Sequence, residues 1–241
     1  MDSRSVICLI CCRGGSKGIA DKNIKDFNGK PMLAWTLLNA FESEVFDKIY
    51  LSTDSELIGQ IGEKYGAIVP GLRPDYLATD DSDQFDTHSY VFEKLGISDK
   101  NSIVCILNNN PLINSNIISR GYKKYVENNF NQMVIDSVEI EGDYHRFKHM
   151  GMKNRILKPL DEIGFKNFNI NRQTLSKSYV CIFNMRWANP SELQSFDQFK
   201  KKILENGVLP LFLKKYENID IDDIEDFKIA ETIHKHFYKN K

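Results

Sequence analysis

Short apolar runs rich in β-branched residues alternate with stretches of helical period along most of the chain. Residues 6–12 are continuously apolar and predict a first strand buried on both faces. Pro31 opens a helix over 31–41, because its missing N–H costs nothing at the first helical position. Residues 48–52 predict a second strand, and Asp54 with Ser55 starts a helix whose buried stripe is Leu57, Ile58 and Ile61. A short third strand follows over 68–70, then a helix over 83–95 with Phe85, Val91, Phe92 and Leu95 on its apolar side. A fourth buried strand over 102–107 is broken by Asn108-Asn109-Asn110-Pro111, and a helix over 115–129 leads to a strand over 133–138. This is the rhythm of βαβ units, so the chain reads as an α/β fold around a mostly parallel sheet.

From 139 to 179 the rhythm changes. The segment is polar, carries turn signals at 141–143 and 149–151 and lacks a long helical period. It predicts an inserted hairpin and loop region, the kind of place where partner contacts or a substrate lid sit. Strand character returns over 179–185 and 208–214, with a helix opening near Asn189-Pro190 between them and a closing helix from 223 or 224 to 237. No repeat or linker divides the chain, which predicts a single domain over 1–241 with 139–179 as an excursion.

Composition narrows the function. The 241 residues carry 32 Lys+Arg against 33 Asp+Glu, a net charge of −1, so there is no global basic field for nucleic acid or an anionic membrane. Any polyanion has to be held by a local cluster. The longest apolar run, over 6–12, falls far short of the ~20 residues of a spanning helix, and the amino terminus shows no signal-peptide core. The expectation is a cytoplasmic protein without a membrane span. Its five cysteines sit in apolar runs without metal-ligand spacing, as reduced core thiols do.

The local cluster is Arg13-Gly14-Gly15-Ser16-Lys17-Gly18, followed by Asp21-Lys22-Asn23, directly after the first strand. Glycines allow a backbone to approach a ligand closely and to adopt positive φ, so successive N–H groups can converge on phosphate oxygens. Arg13, Lys17 and Lys22 add three cations within ten residues. A nucleoside triphosphate carries a charge of about −4, and each charge-assisted contact contributes roughly 1.5–3 kcal/mol. The competing interpretation is a glycine turn with a solvated charged rim. The spacing is neither the Walker form G-x-x-x-x-G-K-[ST] nor G-x-G-x-x-G. A second feature is Ile219-Asp220-Ile221-Asp222-Asp223. In extended backbone Asp220 and Asp222 share one face while Ile219 and Ile221 point into the core. Two carboxylates on one face suit Mg²⁺, which takes one or two carboxylates plus substrate phosphates. Asp223 is better placed as the helix N-cap, with Asp226 in the first turn.

Arg13-Gly14-Gly15-Ser16-Lys17-Gly18 with Lys22-Asn23-Ile24, then Asn28-Gly29-Lys30-Pro31-Met32-Leu33-Ala34-Trp35-Thr36, resembles the amino-terminal signature of the acylneuraminate cytidylyltransferase (CMP-sialic acid synthetase) family. Ser52-Thr53-Asp54, Leu72-Arg73-Pro74, Leu77-Ala78-Thr79-Asp80, Arg172-Gln173 and Ile219-Asp220-Ile221-Asp222 follow in the same order. The resemblance implies a Rossmann-like three-layer α/β/α nucleotidyltransferase fold, with 139–179 as a dimerisation segment. It implies transfer of CMP from CTP to the anomeric hydroxyl of a nonulosonic or related 2-keto-3-deoxy sugar acid, with release of pyrophosphate. By the same resemblance Arg13, Gly14, Gly15, Ser16, Lys17 and Lys22 face the triphosphate. Asn23, Arg73, Asp80 and Ser82 fall on the cytidine side, and Asp220 and Asp222 are the magnesium ligands. Arg13, Lys17, Asp220 and Asp222 carry the catalysis, and Asn108, Asn109, Arg172 and Gln173 fall on the sugar side. The expected partners are CTP, an acidic sugar and a second copy of the chain, with no nucleic acid and no membrane.

The departures lie in the acceptor half. Where the family reads L-Q-P-T-S-P-L-R, this chain has Leu107-Asn108-Asn109-Asn110-Pro111-Leu112-Ile113. The family's second arginine and Asn-Gly after Arg172-Gln173 are missing, and Lys177 is a candidate carboxylate partner in that segment. Losing a planar cationic fork changes which acid is accepted. An octulosonate or a phosphonate acceptor, or a catalytically impaired nucleotide-binding homologue, are the competing readings. The five histidines contain no helical i, i+4 pair and read as packing or surface residues, and Trp35 reads as core.

Overall fold

The computed structural model describes residues 3–79, 81–140, 150–153, 156–159, 177–217 and 219–238. In chain order the elements are β1 (Ser5–Cys11), the short hairpin of β2 (Asp26–Phe27) and β3 (Lys30–Pro31), α1 (Met32–Glu42), β4 (Lys48–Ser52), α2 (Glu56–Lys64), α3 (Gln84–Leu95) and β5 (Ser102–Leu107). They continue as α4 (Ser115–Glu127), β6 (Val134–Ile140), the hairpin of β7 (Met150–Lys153) and β8 (Ile156–Pro159), β9 (Ser178–Ala188), α5 (Phe196–Asn206), β10 (Leu209–Phe212) and α6 (Ile224–Tyr238). Six strands form one sheet in the order β10-β6-β9-β5-β1-β4. β1 pairs in parallel with both β4 and β5, and β10 with β6, whereas β9 runs antiparallel between β5 and β6.

Why β1 is continuously apolar is now visible. Cys8 and Ile10 face one layer, where Leu33, Leu37, Ile58, Ile117 and Ile118 of α1, α2 and α4 cover the sheet. Ile7 and Leu9 face the opposite layer, where Phe85, Val91, Phe92 and Phe199 of α3 and α5 lie. A strand covered on both sides has no polar face, and the architecture is the expected three-layer α/β/α. A third cluster, Ile19, Phe27, Met32, Leu112, Ile221, Phe227 and Ala230, joins the segment after β1 to α6 and underlies the candidate site.

Several expectations need correction. Leu57 is 53% exposed, whereas Ile58 is buried and Ile61 packs on the core as read; α2 also buries Gly59 and Gly62, where a side chain at Gly62 would strike Leu51. The third strand reduces to a single parallel bridge of Ile68 with Tyr50 at the sheet edge, after which the chain turns away through Gly71 at φ +110°. Asn189-Pro190 opens a 3₁₀ turn, Pro190–Leu193, closed by a capping box of Asn189 and Glu192, and α5 starts later from its Ser195 cap. Most of the 139–179 excursion lies outside the described residues. What is described there is the end of β6, the start of β9 and the antiparallel β7–β8 hairpin. Among the described residues no helix is long and apolar enough to cross a membrane.

α6 is docked through His234. Its ring lies 5.2 Å from that of Phe27 and 4.5 Å from that of Trp35, and the Asn28 Nδ2 group sits 3.3 Å from its Nδ1. Trp35 is packing, as read from the sequence, and its Nε1 donates to the Phe27 carbonyl at 2.6 Å. Burial, and then the charge of Lys30, lower the His234 pKa to about 4. Below the ordinary imidazole value near 6.5 the unfolded chain takes up a proton that the folded chain refuses, so stability falls as pH drops from there to about 4. Thermal unfolding at pH 7 and pH 4.5 is therefore expected to show a smaller loss of melting temperature for His234→Phe than for the parent, and equal losses would contradict this assignment.

Candidate active site

The chain leaves β1 at the carboxyl ends of three parallel strands, where open α/β sheets place their ligands. Cys12 N–H still bonds the Ser52 carbonyl at 3.0 Å, and then the loop departs. Its entry is pinned by Asp54, whose Oδ1 accepts the Gly14 N–H at 2.9 Å and meets the Arg73 guanidinium at 3.5 Å. Arg73 is itself buried and donates to Thr87 Oγ1 at 3.4 Å. Further along, a 3₁₀ turn over Lys22–Ile24 follows Asp21 at φ 52° and buries Asn23. The Asn23 amide donates to the Arg13 carbonyl at 2.9 Å and accepts from Asn109 Nδ2 at 3.0 Å, while Asn109 Oδ1 accepts from Thr36 Oγ1 at 2.7 Å. This chain of amides ties the loop to α1 and to the end of β5.

The acidic segment is brought against the same loop. Asn110, at the end of β5, donates from Nδ2 to the Ile219 carbonyl at 2.8 Å, and Lys22 Nζ donates to the Ile221 carbonyl at 2.7 Å. Gly18 lies so close to the Asp222 carbonyl that a Cβ there would overlap it. Ile221 is buried and Ile219 packs on the third cluster, so Asp220 and Asp222 emerge on the opposite side, as extended backbone requires. Asp223 caps α6, its Oδ1 accepting the N–H groups of Glu225 and Asp226 at 2.8 and 2.9 Å. The Asp226 carboxylate in turn accepts the N–H of Asp222, which fixes the backbone of the acidic pair.

Together these segments line a cleft of ≈ 450 Å³. Arg13, Ser16, Lys17 and Lys22 form one side, Asp220 and Asp222 another, and Asn108, Asn109, Asn110 and Asn184 the floor. Burial raises the Asp220 pKa, the neighbouring Asp222 charge raises it further, and Lys22 opposes both. A smaller hollow of ≈ 290 Å³ continues over the loop to Ala78 and Thr79, and beyond it a groove of ≈ 500 Å³ includes Ser82, Asp81 and Tyr90. A positively edged cleft facing two carboxylates is suited to an anionic polyphosphate with a divalent cation.

The site residues read from the sequence fall into three groups. Arg13, Ser16, Lys17, Lys22, Asn23, Asn108, Asn109, Asp220 and Asp222 line the cleft together, Gly15 lines the hollow beside it, and Gly14 turns its N–H to Asp54. Arg73 stands behind the loop as the partner of Asp54, and Ser82 Oγ donates to the carbonyls of Leu77 and Thr79. Asp80, Arg172 and Gln173 lie outside the described residues. One reading is narrowed. None of Gly14, Gly15 and Gly18 adopts positive φ, and it is the close approach of Gly18 to Asp222 that demands a glycine. Lys177, named as a candidate carboxylate partner, is exposed and pairs with Glu139 at 2.9 Å, which leaves that candidacy as it was. Asp54, Thr36, Asn110 and Asn184 went unrecognised as site residues. Asp54 and Asn110 could have been flagged by their position just past the ends of predicted strands, but nothing local marks Thr36 or Asn184.

Fold and cleft define a nucleotide-handling α/β protein, and the comparisons with known proteins give the class its name. The sequence model described as "Cytidylyltransferase" matches residues 7–208, and the chain belongs to that family of CTP-dependent nucleotidyltransferases. It is 30% identical over 231 residues, 95% of this chain and 96% of the relative, to a pseudaminic acid cytidylyltransferase of Campylobacter jejuni. Against an N-acylneuraminate cytidylyltransferase of Escherichia coli it is 29% identical over 230 residues, covering 95% of this chain and 52% of the relative. Among solved structures, a CMP:2-keto-3-deoxy-manno-octonic acid synthetase complexed with CTP superposes with a TM-score of 0.71 over 96% of this chain and 99% of that one, at 12% identity, which speaks to the fold alone.

If the loop and the acidic segment act as one unit, Gly18→Ala, which pushes the Asp222 carbonyl away, is expected to lower turnover about 10²-fold, the cost of a ~1 Å misplacement. Melting should remain a single transition. Turnover equal to that of the parent would show that the contact does not set the geometry of the site.

Proposed function

We propose that the protein transfers CMP from CTP to the anomeric hydroxyl of a nonulosonic acid and releases pyrophosphate. One observation carries this reading: Arg13, Lys17 and Lys22 share a single cleft with Asp220 and Asp222, in a chain of the cytidylyltransferase family. The relatives of similar length and the highest listed coverage are pseudaminic acid cytidylyltransferases.

Arg13, Ser16 and Lys17 would bind the triphosphate, with the backbone from Gly14 to Gly18 wrapping it. Lys22 lies between the loop and the acidic pair and lowers the repulsion there. Asn23 and Arg73 serve the nucleotide from behind, by holding the Arg13 carbonyl and, through Asp54, the Gly14 N–H. Two carboxylates raised on one face are the donor set that Mg²⁺ takes, and no group of three or more metal-ligating side chains exists among the described residues, so Asp220 and Asp222 would hold it alongside phosphate oxygens. When bound, the metal neutralises phosphate charge at the reacting centre. The acceptor hydroxyl forms the new bond to the α-phosphorus in line as the bond to pyrophosphate breaks, and its proton passes to solvent. Positioning and electrostatics carry this chemistry without a covalent intermediate.

Asn108 faces the acceptor from the floor of the cleft, and Asp80, Arg172 and Gln173 belong to the cytidine and sugar sides by family resemblance. The protein acts in the cytoplasm as a homodimer, with 139–179 reaching across to the partner. At the root of that excursion Tyr179, Val180 and Phe212 are exposed, and the Tyr179 and Phe212 rings meet at 5.3 Å, leaving an apolar patch for a partner to cover.

Pyrophosphate release measured with CTP, ATP, GTP and UTP against pseudaminic, legionaminic and N-acetylneuraminic acids should show activity with CTP alone, and no activity with any of these acids would refute the acceptor class. Asp220→Ala and Asp222→Ala are each expected to reduce turnover on the order of 10²-fold, about 3 kcal/mol of transition-state stabilisation. Sedimentation equilibrium at micromolar concentration should give twice the chain mass; a monomer overturns the dimer.

A further inference from the structure

Strand β9 carries an irregularity that shapes the acceptor side of the cleft. Arg186 pairs with Ile135 and Cys181 with Ser137, so Asp136 alone on β6 faces residues 182–185 of β9. Phe183 within that bulge has φ 66°, a conformation an L-residue adopts only where its surroundings hold it. What holds it is Asp136, fully buried, whose Oδ1 accepts the Met185 N–H at 2.9 Å and Oδ2 the Asn184 N–H at 3.3 Å.

Two side chains, one in the bulge and one on the first paired residue after it, line cavities on the ligand side. Asn184 enters the floor of the phosphate cleft, and its buried Nδ2 has no partner among the described residues. Arg186 is 2% exposed and lines a neighbouring cavity of ≈ 350 Å³ walled by Phe183, Phe196 and Phe199. Its Nη2 donates to the neutral Gln84 Oε1 at 2.9 Å, while its buried Nε lacks a partner among the described residues. Asp136, the nearby carboxylate, is turned to the backbone, and no ion pair of Arg186 occurs among the described residues. A buried guanidinium with an unused donor and no direct ion pair among the described residues attracts an anion, more so where aromatic walls exclude water.

The cavity is continuous with the site already described. Asn108 lines both it and the phosphate cleft. A group held by Arg186 therefore lies in the cavity that shares Asn108 with the cleft. In a 2-keto acid closed to its ring form, the carboxylate is bonded directly to the anomeric carbon whose hydroxyl attacks, so its binding group is sought among residues adjoining the cleft. We propose that Arg186, supported by Gln84 and by Asn184 across the boundary, receives the carboxylate of the acceptor acid and acts as a specificity residue for it. This rests on the cytidylyl transfer to a sugar acid proposed above. It also answers the missing second arginine after Arg172-Gln173: a guanidinium is supplied from further along β9.

Kinetics and binding decide it. With the acid that the parent enzyme uses best, Arg186→Gln is expected to raise the acceptor KM on the order of 30-fold, the loss of a charge-assisted contact, while the KM for CTP stays within about twofold. The carboxamide of the same acceptor should be a poor substrate of the parent, and Arg186→Gln should abolish the preference for acid over amide. A merely structural arginine would lower both alike. Should Arg186→Gln fail to fold, Gln84→Glu at the exposed start of α3 places a carboxylate against the guanidinium without emptying the core. It should raise the acceptor KM and leave CTP binding alone; an unchanged acceptor KM overturns the proposal. Absence of turnover with every acid would count against the proposed function instead. In that case calorimetric titration of the same acids into the CTP-loaded protein decides the assignment: binding weakened by Arg186→Gln or Gln84→Glu upholds it, and binding that is absent or indifferent to both overturns it.

Discussion

The contact between the glycine loop and the acidic segment holds the site together. Gly18 packs on the Asp222 carbonyl, and Lys22 donates to the Ile221 carbonyl across 199 positions of sequence. Without it the cations would form a charged rim on one edge of the sheet and the carboxylates a capped helix start on another. The Asp222 charge raises the cost of ionising Asp220, Lys22 offsets part of it, and the contact persists because both segments stand on apolar packing. Ile19, Phe27 and Met32 from one side and Ile221, Phe227 and Ala230 from the other are buried in a common cluster, each large side chain contributing roughly 1.5–3 kcal/mol.

Around this contact the polar side chains act mostly on backbone. Asn23 holds the Arg13 carbonyl, Asn110 the Ile219 carbonyl, Asp54 the Gly14 N–H and Asp136 the N–H groups of the β9 bulge. Loop backbone that must approach an anionic ligand cannot be stabilised by a sheet ladder, so buried amides and carboxylates take over its hydrogen bonds. Preorganisation of this kind suits a reaction whose catalysis is positioning and charge stabilisation. The two halves of the cleft differ in construction. The side with the glycine loop hangs on parallel strands β1, β4 and β5, whereas the side proposed for the acceptor depends on β9, antiparallel within the six-stranded sheet, whose bulge carries Asn184 and is followed by Arg186. Bulges and loops change with little penalty to the core, which fits the sequence departures being gathered on that side.

Much of this was legible in the chain itself. Continuous apolarity over 6–12 and 102–107 marked strands covered on both faces, and alternation over Ile219-Asp220-Ile221-Asp222 put both carboxylates on one side. Periodicity misjudged Leu57, because the burial of α2 is set by how Gly62 fits over Leu51, a contact between elements. Of the two uses offered for the loop glycines, close approach and positive φ, the structure shows only close approach, at Gly18 against the Asp222 carbonyl.

Residue types and short-range order thus determined the elements, the family signature and the charged groups that could serve a nucleotide, since strand burial, capping and local charge are properties of neighbouring positions. Only the tertiary structure decided which of those groups share a cleft, that Asn109, Asn110 and Asp54 brace it, and that Arg186 stands buried near it with no direct ion pair among the described residues. Those outcomes depend on packing between residues far apart in the chain, and on a change of register in one strand that no local pattern announces.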